Sequence, residues 1–428
     1  MSGSVSRRDF GRLFALGGSA ALFADRAWAS QAPAAPALSG GGPAAGEAFW
    51  TSVREQFVMP PDLAVMNAAN LCPASRPALE TLTRETQGVD RDPSPNNRAR
   101  LYPEKENTRK ALAEFLRVTP DEIIITRNTS ESNNLVSSGL DLKAGDEVLV
   151  HSDNHPSNLT AWREKGKRFG FTVVEVAQKS PHPGMEYYVD AFTRAITPRT
   201  KVLCFTHLSS TVGDLMPARE LCRLARERDI LSLVDGAQSL GLLDVNLREM
   251  QPDFYSGSAH KWPCGARECG VLYVNSASQS RLWPSIYSAY PGAIGFSRTF
   301  EGFGQRDEAT MIAFGEALAF QNRVGRRAIE ARARELATQL IAGLGNLPGV
   351  TVWTSPKPEL RAAVVSFQPG TLDANKLATA LYEKDKVAVA TRGGQDRGGL
   401  RASPHLYNSP AEIDRLVSAL ARYLQAGV

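Results

Sequence analysis

A lysine with unusual neighbours stands in the run DFYSGSAHKW at positions 253 to 262. The run begins as an apolar strand, so Ser258, His260 and Lys261 follow where that strand ends. Burial in apolar surroundings lowers the pKa of a lysine and favours its neutral amine. A neutral amine attacks a carbonyl carbon to form a Schiff base. The run therefore predicts a nucleophilic lysine at position 261.

A carboxylate ends a second apolar run, LVDGAQSLG at positions 233 to 241. This run places Asp235 at the strand end and Gln238 one turn later. A buried carboxylate without a positive partner is costly, and a protonated pyridine nitrogen is a group that would supply the missing charge. Taken alone, Asp235 followed by Gly236 is also typical of a turn.

Two further runs carry hydroxyl groups and a histidine. TRNTSESNN at 126 to 134 places Thr129 and Ser130 at the start of a helix, where backbone N–H groups and the helix dipole favour a phosphate. HSDNHPSN at 151 to 158 contains His155, whose ring could lie flat on another ring. Taken singly, the hydroxyl residues are typical of a helix N-cap and His155 of a loop.

Short apolar runs separated by helical stretches surround these patterns. They are IIIT (123–126), EVLVHS (147–152), TVVEVA (172–177), KVLCFTH (201–207), ILSLVD (230–235) and GVLYV (270–274). Strands that alternate with amphipathic helices, such as the one expected over Pro217–Arg228, indicate an α/β fold with a mainly parallel sheet and helices on both faces. Such a sheet binds ligands at the carboxyl ends of its strands, where the four patterns fall.

The pattern changes after residue 304. Residues Glu308 to Leu344 are mostly helical, and the runs VTVW, AAVVSF and VAVAT then alternate with two more helices. This α+β pattern predicts a smaller C-terminal domain over 305–428 and a large domain over 49–304. The chain before Met66 is expected to join the small domain.

The amino-terminal residues have the pattern of a targeting signal. SRRDFGR at positions 6 to 12 precedes an apolar run, and Ala27-Trp28-Ala29 ends it with a small-x-small triplet. This order resembles a twin-arginine export signal over residues 1–29, and the apolar run is too short to span a bilayer. Residues 30–48 are rich in Ala, Pro and Gly and read as a flexible linker. We expect a periplasmic or otherwise exported protein that uses the twin-arginine machinery.

Composition excludes several classes of function. The chain of 428 residues is 43% hydrophobic and 22% charged, which is typical of a folded globular protein. A formal net charge of +4 is too small to indicate nucleic-acid binding. The five cysteines show neither C-x-x-C pairs nor zinc spacing, so no metal site is expected.

Together, in this order, the four patterns resemble the class V aminotransferase family of pyridoxal-phosphate enzymes, fold type I, from about Asn67 to Tyr423. The resemblance implies pyridoxal 5′-phosphate as cofactor, with Lys261 as its Schiff-base lysine and Asp235 as the partner of its pyridine nitrogen. It implies that Gln238 and Ser210 contact the ring hydroxyl and that His155 stacks on the ring. In many relatives asparagine stands where this chain has Ser210. The phosphate contacts implied are Ser130, Ser258, His260 and the Thr129 backbone.

The resemblance also implies a substrate side. Arg401, in the run LRASPHLYNSPAEIDRL at 400 to 416, would grip the substrate α-carboxylate with its guanidinium fork. Asn70 belongs to NAANLCPASRP, which is similar to the family's early substrate loop. Cys72 in that loop is either reactive or inert packing. A homodimer is implied, although Gly304-Gln305 replaces the Gly-Thr with which relatives often reach the neighbouring subunit's phosphate.

The R-x-S-P-H-x-Y-N pattern at 401 to 408 and the GQRDEAT run at 304 to 310 are most similar to the isopenicillin N epimerase-like branch. That branch implies an amino-acid-type substrate held as an external aldimine, with epimerisation or transamination as the reaction. Residues 387 to 399 lack the cysteine that a desulfurase uses, which argues against desulfurase chemistry. A C–S or C–N lyase and a non-catalytic binding protein of the same fold remain alternatives.

Overall fold

The computed structural model describes Leu38 and residues 42–287, 295–393 and 396–428. The predicted export signal over 1–29 and the first part of the predicted linker lie outside these residues. The first α-helix of the described part begins at Glu47, close to Phe49, where the folded body was expected to start. No helix within the described residues has the length and apolar character needed to cross a membrane.

The elements up to residue 287 alternate as the sequence indicates. The helices are α1 (Glu47–Arg54), α2 (Arg76–Arg91), α3 (Pro95–Ala99), α4 (Leu101–Leu116), α5 (Thr129–Gly139), α6 (Pro156–Phe169), α7 (Met185–Ala195), α8 (Ala218–Glu227) and α9 (Leu247–Met250). The strands are β1 (Ala64–Val65), β2 (Ile123–Thr126), β3 (Glu147–His151), β4 (Thr172–Val176), β5 (Thr200–Thr206), β6 (Leu231–Asp235), β7 (Phe254–Ser258) and β8 (Gly270–Val274).

Seven strands of the described chain form one sheet in the order β2-β8-β7-β6-β5-β3-β4. Strands β7, β6, β5, β3 and β4 run parallel, whereas β8 is antiparallel to both of its neighbours. The prediction of an α/β fold with a mainly parallel sheet is therefore confirmed. The antiparallel β8 is a feature that the sequence pattern did not indicate.

Helices cover both faces of this sheet because its strands are apolar on both sides. In β3, Leu149 packs in one hydrophobic core, while Val148 and Val150 pack in the core on the opposite face. In β5, Leu203 and Cys204 divide in the same way. Neighbouring side chains of a strand point to opposite faces, so a continuous apolar run fills two cores at once.

The C-terminal part is α+β. Its helices are α10 (Phe296–Glu301), α11 (Glu308–Val324), α12 (Arg326–Gly345), α13 (Ala374–Asp385) and α14 (Pro410–Ala426), and its strands are β9 (Val350–Val352), β10 (Val365–Pro369), β11 (Val387–Ala388), β12 (Ala390–Arg392) and β13 (Gly399–Ala402). Strands β12, β13, β10 and β9 form an antiparallel sheet in that order. Strand β1 pairs with β11, which joins the chain before Met66 to this part, whereas α11 packs on α2 and α4.

Side chains occupy the open edge of β2, the strand at one end of the large sheet. Glu301 accepts a hydrogen bond from the Ile125 N–H at 2.6 Å, and Arg306 donates to the Ile125 carbonyl at 2.7 Å. Arg109 donates to the Ile123 carbonyl at 2.6 Å and also forms a two-pronged ion pair with Glu301, at 2.7 and 2.8 Å. Arg109 and Glu301 are both buried.

Candidate active site

The candidate site lies where the parallel strands end. Strand β6 ends at Asp235 and β7 at Ser258, and the two strands are neighbours in the sheet. Gly236 follows Asp235, and a Cβ atom there would lie 2.1 Å from the Tyr255 ring. The glycine is therefore required for packing against β7 and not only for a turn.

Asp235 is buried, with 1% of its surface exposed. Its Oδ2 accepts a hydrogen bond from the Asn133 side-chain amide at 2.8 Å, and its Oδ1 accepts one from the Ala237 N–H at 3.0 Å. Both donors are neutral, and no basic side chain of the described residues forms an ion pair with it. The site therefore offers a buried negative charge to a positively charged group.

Lys261 lies three positions after Ser258, the last residue of β7. Burial lowers the pKa of Lys261 to about 8, although the nearby Asp235 carboxylate acts in the opposite direction. The positive charge of Arg401 adds to the lowering. A substantial fraction of the amine is consequently neutral near pH 8, as nucleophilic attack requires.

Hydroxyl groups meet at the amino terminus of α5. Ser258 Oγ accepts a hydrogen bond from the Thr129 N–H at 2.8 Å and lies 2.7 Å from Thr129 Oγ1. Ser130 Oγ donates to Ser157 Oγ at 3.0 Å. Asn128, and not Thr129 or Ser130, is the N-cap, because its side chain accepts from the Glu131 N–H at 2.9 Å. The structure therefore brings Thr129, Ser130 and Ser258 together at a helix start suited to an anion.

The two histidines of the predicted site, His155 and His260, differ in burial and in their contacts. His155 caps α6, since its Nδ1 accepts from the Ser157 N–H at 3.2 Å, and its side chain is exposed. Partial desolvation and the nearby charge of Lys261 lower its pKa. His260 is half-buried, and burial lowers its pKa to about 4. Both rings are therefore neutral at pH 7.

Gln238 is fixed by two hydrogen bonds. Its Nε2 donates to the Ala69 carbonyl and its Oε1 accepts from the Trp262 indole, both at 2.8 Å. A side-chain amide has two hydrogens on nitrogen, so one donor remains after the Ala69 contact. The early loop containing Ala69 is thus held against the end of β6, and Asn70 beside it is exposed.

Arg401 lies on β13 and is buried, with 6% exposed. Its Nη1 donates to the Ser210 carbonyl at 2.8 Å, whereas its buried Nε finds no partner among the described residues. Burial and the neighbouring Arg392 lower the pKa of Arg401 to about 10. Ser210 therefore meets Arg401 through its backbone, and its side chain is half-buried.

Cys72 is buried against chain segments that are distant in sequence. Its sulfur lies 3.4 Å from the Tyr407 hydroxyl, and the ligand atoms of Cys72, Cys264 and His405 lie within 4.8 Å of one another. Its thiol is also near enough to Lys261 to act on that lysine's pKa. No local pattern could indicate that Lys261 is near Cys72, because the two residues are far apart along the chain.

Several neighbours of the site were missed by sequence reasoning. Asn133 lies one helical turn after Thr129, and this spacing was the available signal that it faces the sheet. Ser157 and Asp153 belong to the run that contains His155, but nothing in that run shows which elements they would meet. Arg397 reaches Asp153 at 3.2 Å from a remote part of the chain.

Residues 80–416 match the family model described as aminotransferase class-V. The chain belongs to the aminotransferase class-V family. It is therefore an enzyme that uses pyridoxal 5′-phosphate. The residues present fit this group, because the site combines a buried carboxylate that has neutral donors, a lysine amine of lowered pKa and a helix start that bears hydroxyl groups.

Individual members of the class-V family are similar over nearly the whole described chain. An isopenicillin N epimerase from Streptomyces clavuligerus is 30% identical over 390 residues, which cover 87% of this chain and 98% of the relative. A probable cysteine desulfurase from Methanothermobacter thermautotrophicus is 26% identical and covers 86% of this chain and 96% of its own. A solved cysteine desulfurase from Thermococcus onnurineus shares the fold, with a TM-score of 0.79, 23% identity and coverage of 87% and 98%.

Proposed function

We propose that this class-V enzyme acts on an amino-acid-type substrate as an epimerase or aminotransferase, with Lys261 moving the proton at the substrate's α-carbon. The observation that carries the proposal is the common environment of three groups. The Asp235 carboxylate raises the pKa of the Lys261 amine and the Arg401 guanidinium lowers it, so the three groups are close enough to interact electrostatically.

When bound, pyridoxal phosphate supplies a conjugated ring that withdraws electrons from the substrate's α-carbon. Asp235 would keep a proton on the ring nitrogen, and His155 would lie against the ring. Gln238 and Ser210 would contact the ring hydroxyl. The phosphate would be held by Thr129, Ser130, Ser258 and His260. Arg401 would orient the substrate by its carboxylate, with Asn70 beside it.

The identity of the lysine is tested by borohydride reduction of the purified yellow protein followed by peptide mapping. Lys165 is a matched control, because burial lowers its pKa to about 8 as well, while it lies against Asn134 and Ser137. A label on Lys261 and not on Lys165 is expected. A label on any other lysine, or none after reconstitution, contradicts the assignment.

The reaction type is tested with a panel of D- and L-amino acids in heavy water. α-Proton exchange with inversion of configuration indicates an epimerase, and keto-acid formation with a change of cofactor form indicates an aminotransferase. The similarity to a probable cysteine desulfurase makes C–S bond cleavage the second candidate, recognised by sulfide release. A protein that binds the cofactor but shows no exchange with any amino acid would be a non-catalytic binder.

We also propose a homodimer. Trp283, Ile286 and Tyr287 are large apolar side chains that are 62%, 49% and 62% exposed, and Ile286 lines a surface cavity together with Ser130. Gly304-Gln305 is exposed as well. Sedimentation of Ile286→Asp should show a shift from dimer to monomer, whereas Tyr382→Asp, at a side chain 54% exposed on α13, should not. A wild-type monomer would contradict the proposal.

We further propose export by the twin-arginine route, on the basis of the paired arginines at positions 7 and 8 and the apolar run that follows. The mature protein should begin near Ser30. Changing both arginines to lysine should retain the folded, yellow protein in the cytoplasm. Cell fractionation and amino-terminal sequencing test this, and equal export of the double-lysine form would contradict it.

A further inference from the structure

Two further arginines lie near Arg401 in the C-terminal part: Arg392 on β12, and Arg397 between β12 and β13. Strands β12 and β13 are antiparallel, with Ala390 opposite Arg401. Arg392 is two positions after Ala390, and alternate residues of a strand share a face. The side chains of Arg392 and Arg401 therefore leave the same face as a diagonal pair, within reach of one common ligand. Arg397 follows in the connection to β13.

The three guanidinium groups are held by the loops that carry the predicted cofactor contacts. Arg401 donates to the Ser210 carbonyl at 2.8 Å, and Arg392 donates to Oγ1 of the next residue, Thr211, at 3.1 Å. Arg397 donates to Oδ1 of Asp153 at 3.2 Å, and Asp153 stands two positions before His155 in the sequence. The charges of Arg392 and Arg401 also act on the pKa of His155, which shows that both lie near the predicted cofactor contacts.

Positive charge exceeds negative charge at this place. Among the described residues, Asp153 is the carboxylate that forms an ion pair with these arginines, and it also accepts a hydrogen bond from Ser209. Burial lowers the pKa of Arg392, the Asp153 carboxylate acts in the opposite direction, and the charge of Arg397 adds to the lowering. Like charges that are brought together in a partly buried pocket repel each other, so the arrangement favours the binding of anions.

Each arginine also holds an unused donor. Arg401 Nε, Arg392 Nε and Arg397 Nη1 are buried and find no hydrogen-bond partner within the described chain. A buried donor without a partner is costly, and more so when it is charged. One α-carboxylate accepts the fork of one guanidinium, so the unpaired donors of Arg392 and Arg397 remain available to a second anion.

We propose that Arg392 and Arg397 bind a second carboxylate of the substrate, so that the substrate is an α-amino acid whose side chain ends in a carboxylate. This inference rests on the proposed function, since it assumes that Arg401 holds the α-carboxylate next to Lys261. In this arrangement the α-amino group reaches the cofactor while the distal carboxylate lies against Arg392 and Arg397.

The test compares acidic amino acids with neutral ones of equal length on the holoenzyme. 2-Aminoadipate is paired with norleucine and glutamate with glutamine, each as D and L forms, and binding is followed by the change in cofactor absorbance. We expect the distal carboxylate to tighten binding at least about tenfold, which corresponds to one charge-assisted hydrogen-bonded pair.

The variants Arg392→Gln and Arg397→Gln should each remove most of this preference while norleucine binds as before. Arg392→Lys retains the charge but not the fork and should retain part of the preference, which keeps the test usable where a glutamine variant does not fold. Arg223→Gln is the matched control, because that arginine is exposed on α8.

Equal binding of acidic and neutral partners, or a preference that survives in both glutamine variants, overturns the inference. Borohydride labelling of the same preparation separates this result from failure of the proposed function. Label on Lys261 without a preference for the distal carboxylate refutes the second carboxylate site alone. Absence of label on Lys261 refutes the proposed function, and the inference falls with it.

Discussion

The side-chain amide of Asn133 donates a 2.8 Å hydrogen bond to Oδ2 of Asp235. Ser256 Oγ donates to the other end of the same amide, Asn133 Oδ1, at 2.7 Å. This second bond fixes which end of the amide faces Asp235. Helix α5, through Asn133, thereby holds the Asp235 carboxylate at the end of β6.

Replacement of Asn133 by alanine should lower the free energy of unfolding of the cofactor-free protein. One oxygen of the buried Asp235 carboxylate would lose its donor, which costs about 1–3 kcal/mol in the free energy of unfolding. Urea denaturation of the cofactor-free protein measures this. Asn322→Ala, at an exposed position of α11, should change stability by less than about 0.5 kcal/mol. Equal effects would mean that the Asn133 bond is not important for stability.

The variant Asp235→Ala should fold but bind pyridoxal phosphate more weakly. The ring nitrogen would lose the anion that keeps it protonated, so removal of the substrate α-proton should slow by about a hundredfold or more. Cofactor titration and α-proton exchange in heavy water measure the two effects. Normal turnover would show that Asp235 is only a turn residue.

Covalent attachment of pyridoxal phosphate to the cofactor-free protein should depend on pH through Lys261. The neutral amine is the reactive form, and the pKa of Lys261 is about 8. The attachment rate should therefore rise about tenfold per pH unit below pH 8 and level off above it. Stopped-flow absorbance from pH 6 to about pH 10 measures this rate. A rise that continues to the usual lysine pKa would contradict the effect of burial.

Arg401→Lys should affect the substrate and not the cofactor. A lysine retains the charge but offers a point donor in place of a planar fork, so the affinity for amino acids should fall. The absorbance of the resting holoenzyme should not change. Titration with amino acids measures both quantities in one experiment. Unaltered affinity would assign the α-carboxylate to another residue, and Arg392 is the first to examine.

Glu301→Gln should destabilise the fold. The buried Arg109 would lose the two-pronged partner and keep its ion pair with Glu106 at 3.1 Å, so the free energy of unfolding should fall by about 1–3 kcal/mol. Glu164→Gln is the control, because its ion pair with Lys167 is exposed and should contribute at most about 1 kcal/mol. Denaturant unfolding of both variants at one pH gives the comparison, and similar losses would contradict the prediction.

The strands could be predicted from their apolar runs, and two of these runs stop at a polar residue of the candidate site, Asp235 at the end of β6 and Ser258 at the end of β7. Asp235 and Lys261 are recognisable for that reason. Other partners depend on how elements pack in three dimensions. Asn133 reaches Asp235 across 102 positions, and Arg397 reaches Asp153 across 244 positions, so no local pattern could indicate either pair. The direction of β8 was missed because apolar runs look alike in either orientation.

The side chains along the edge of β2 also affect the association of one molecule of this enzyme with another. An edge strand with free N–H and C=O groups is a template for strands of another chain, and such pairing leads to aggregation. Here Glu301, Arg306 and Arg109 occupy the backbone groups of Ile123 and Ile125 that face outward. A strand of another molecule could pair with β2 only after these hydrogen bonds had been broken.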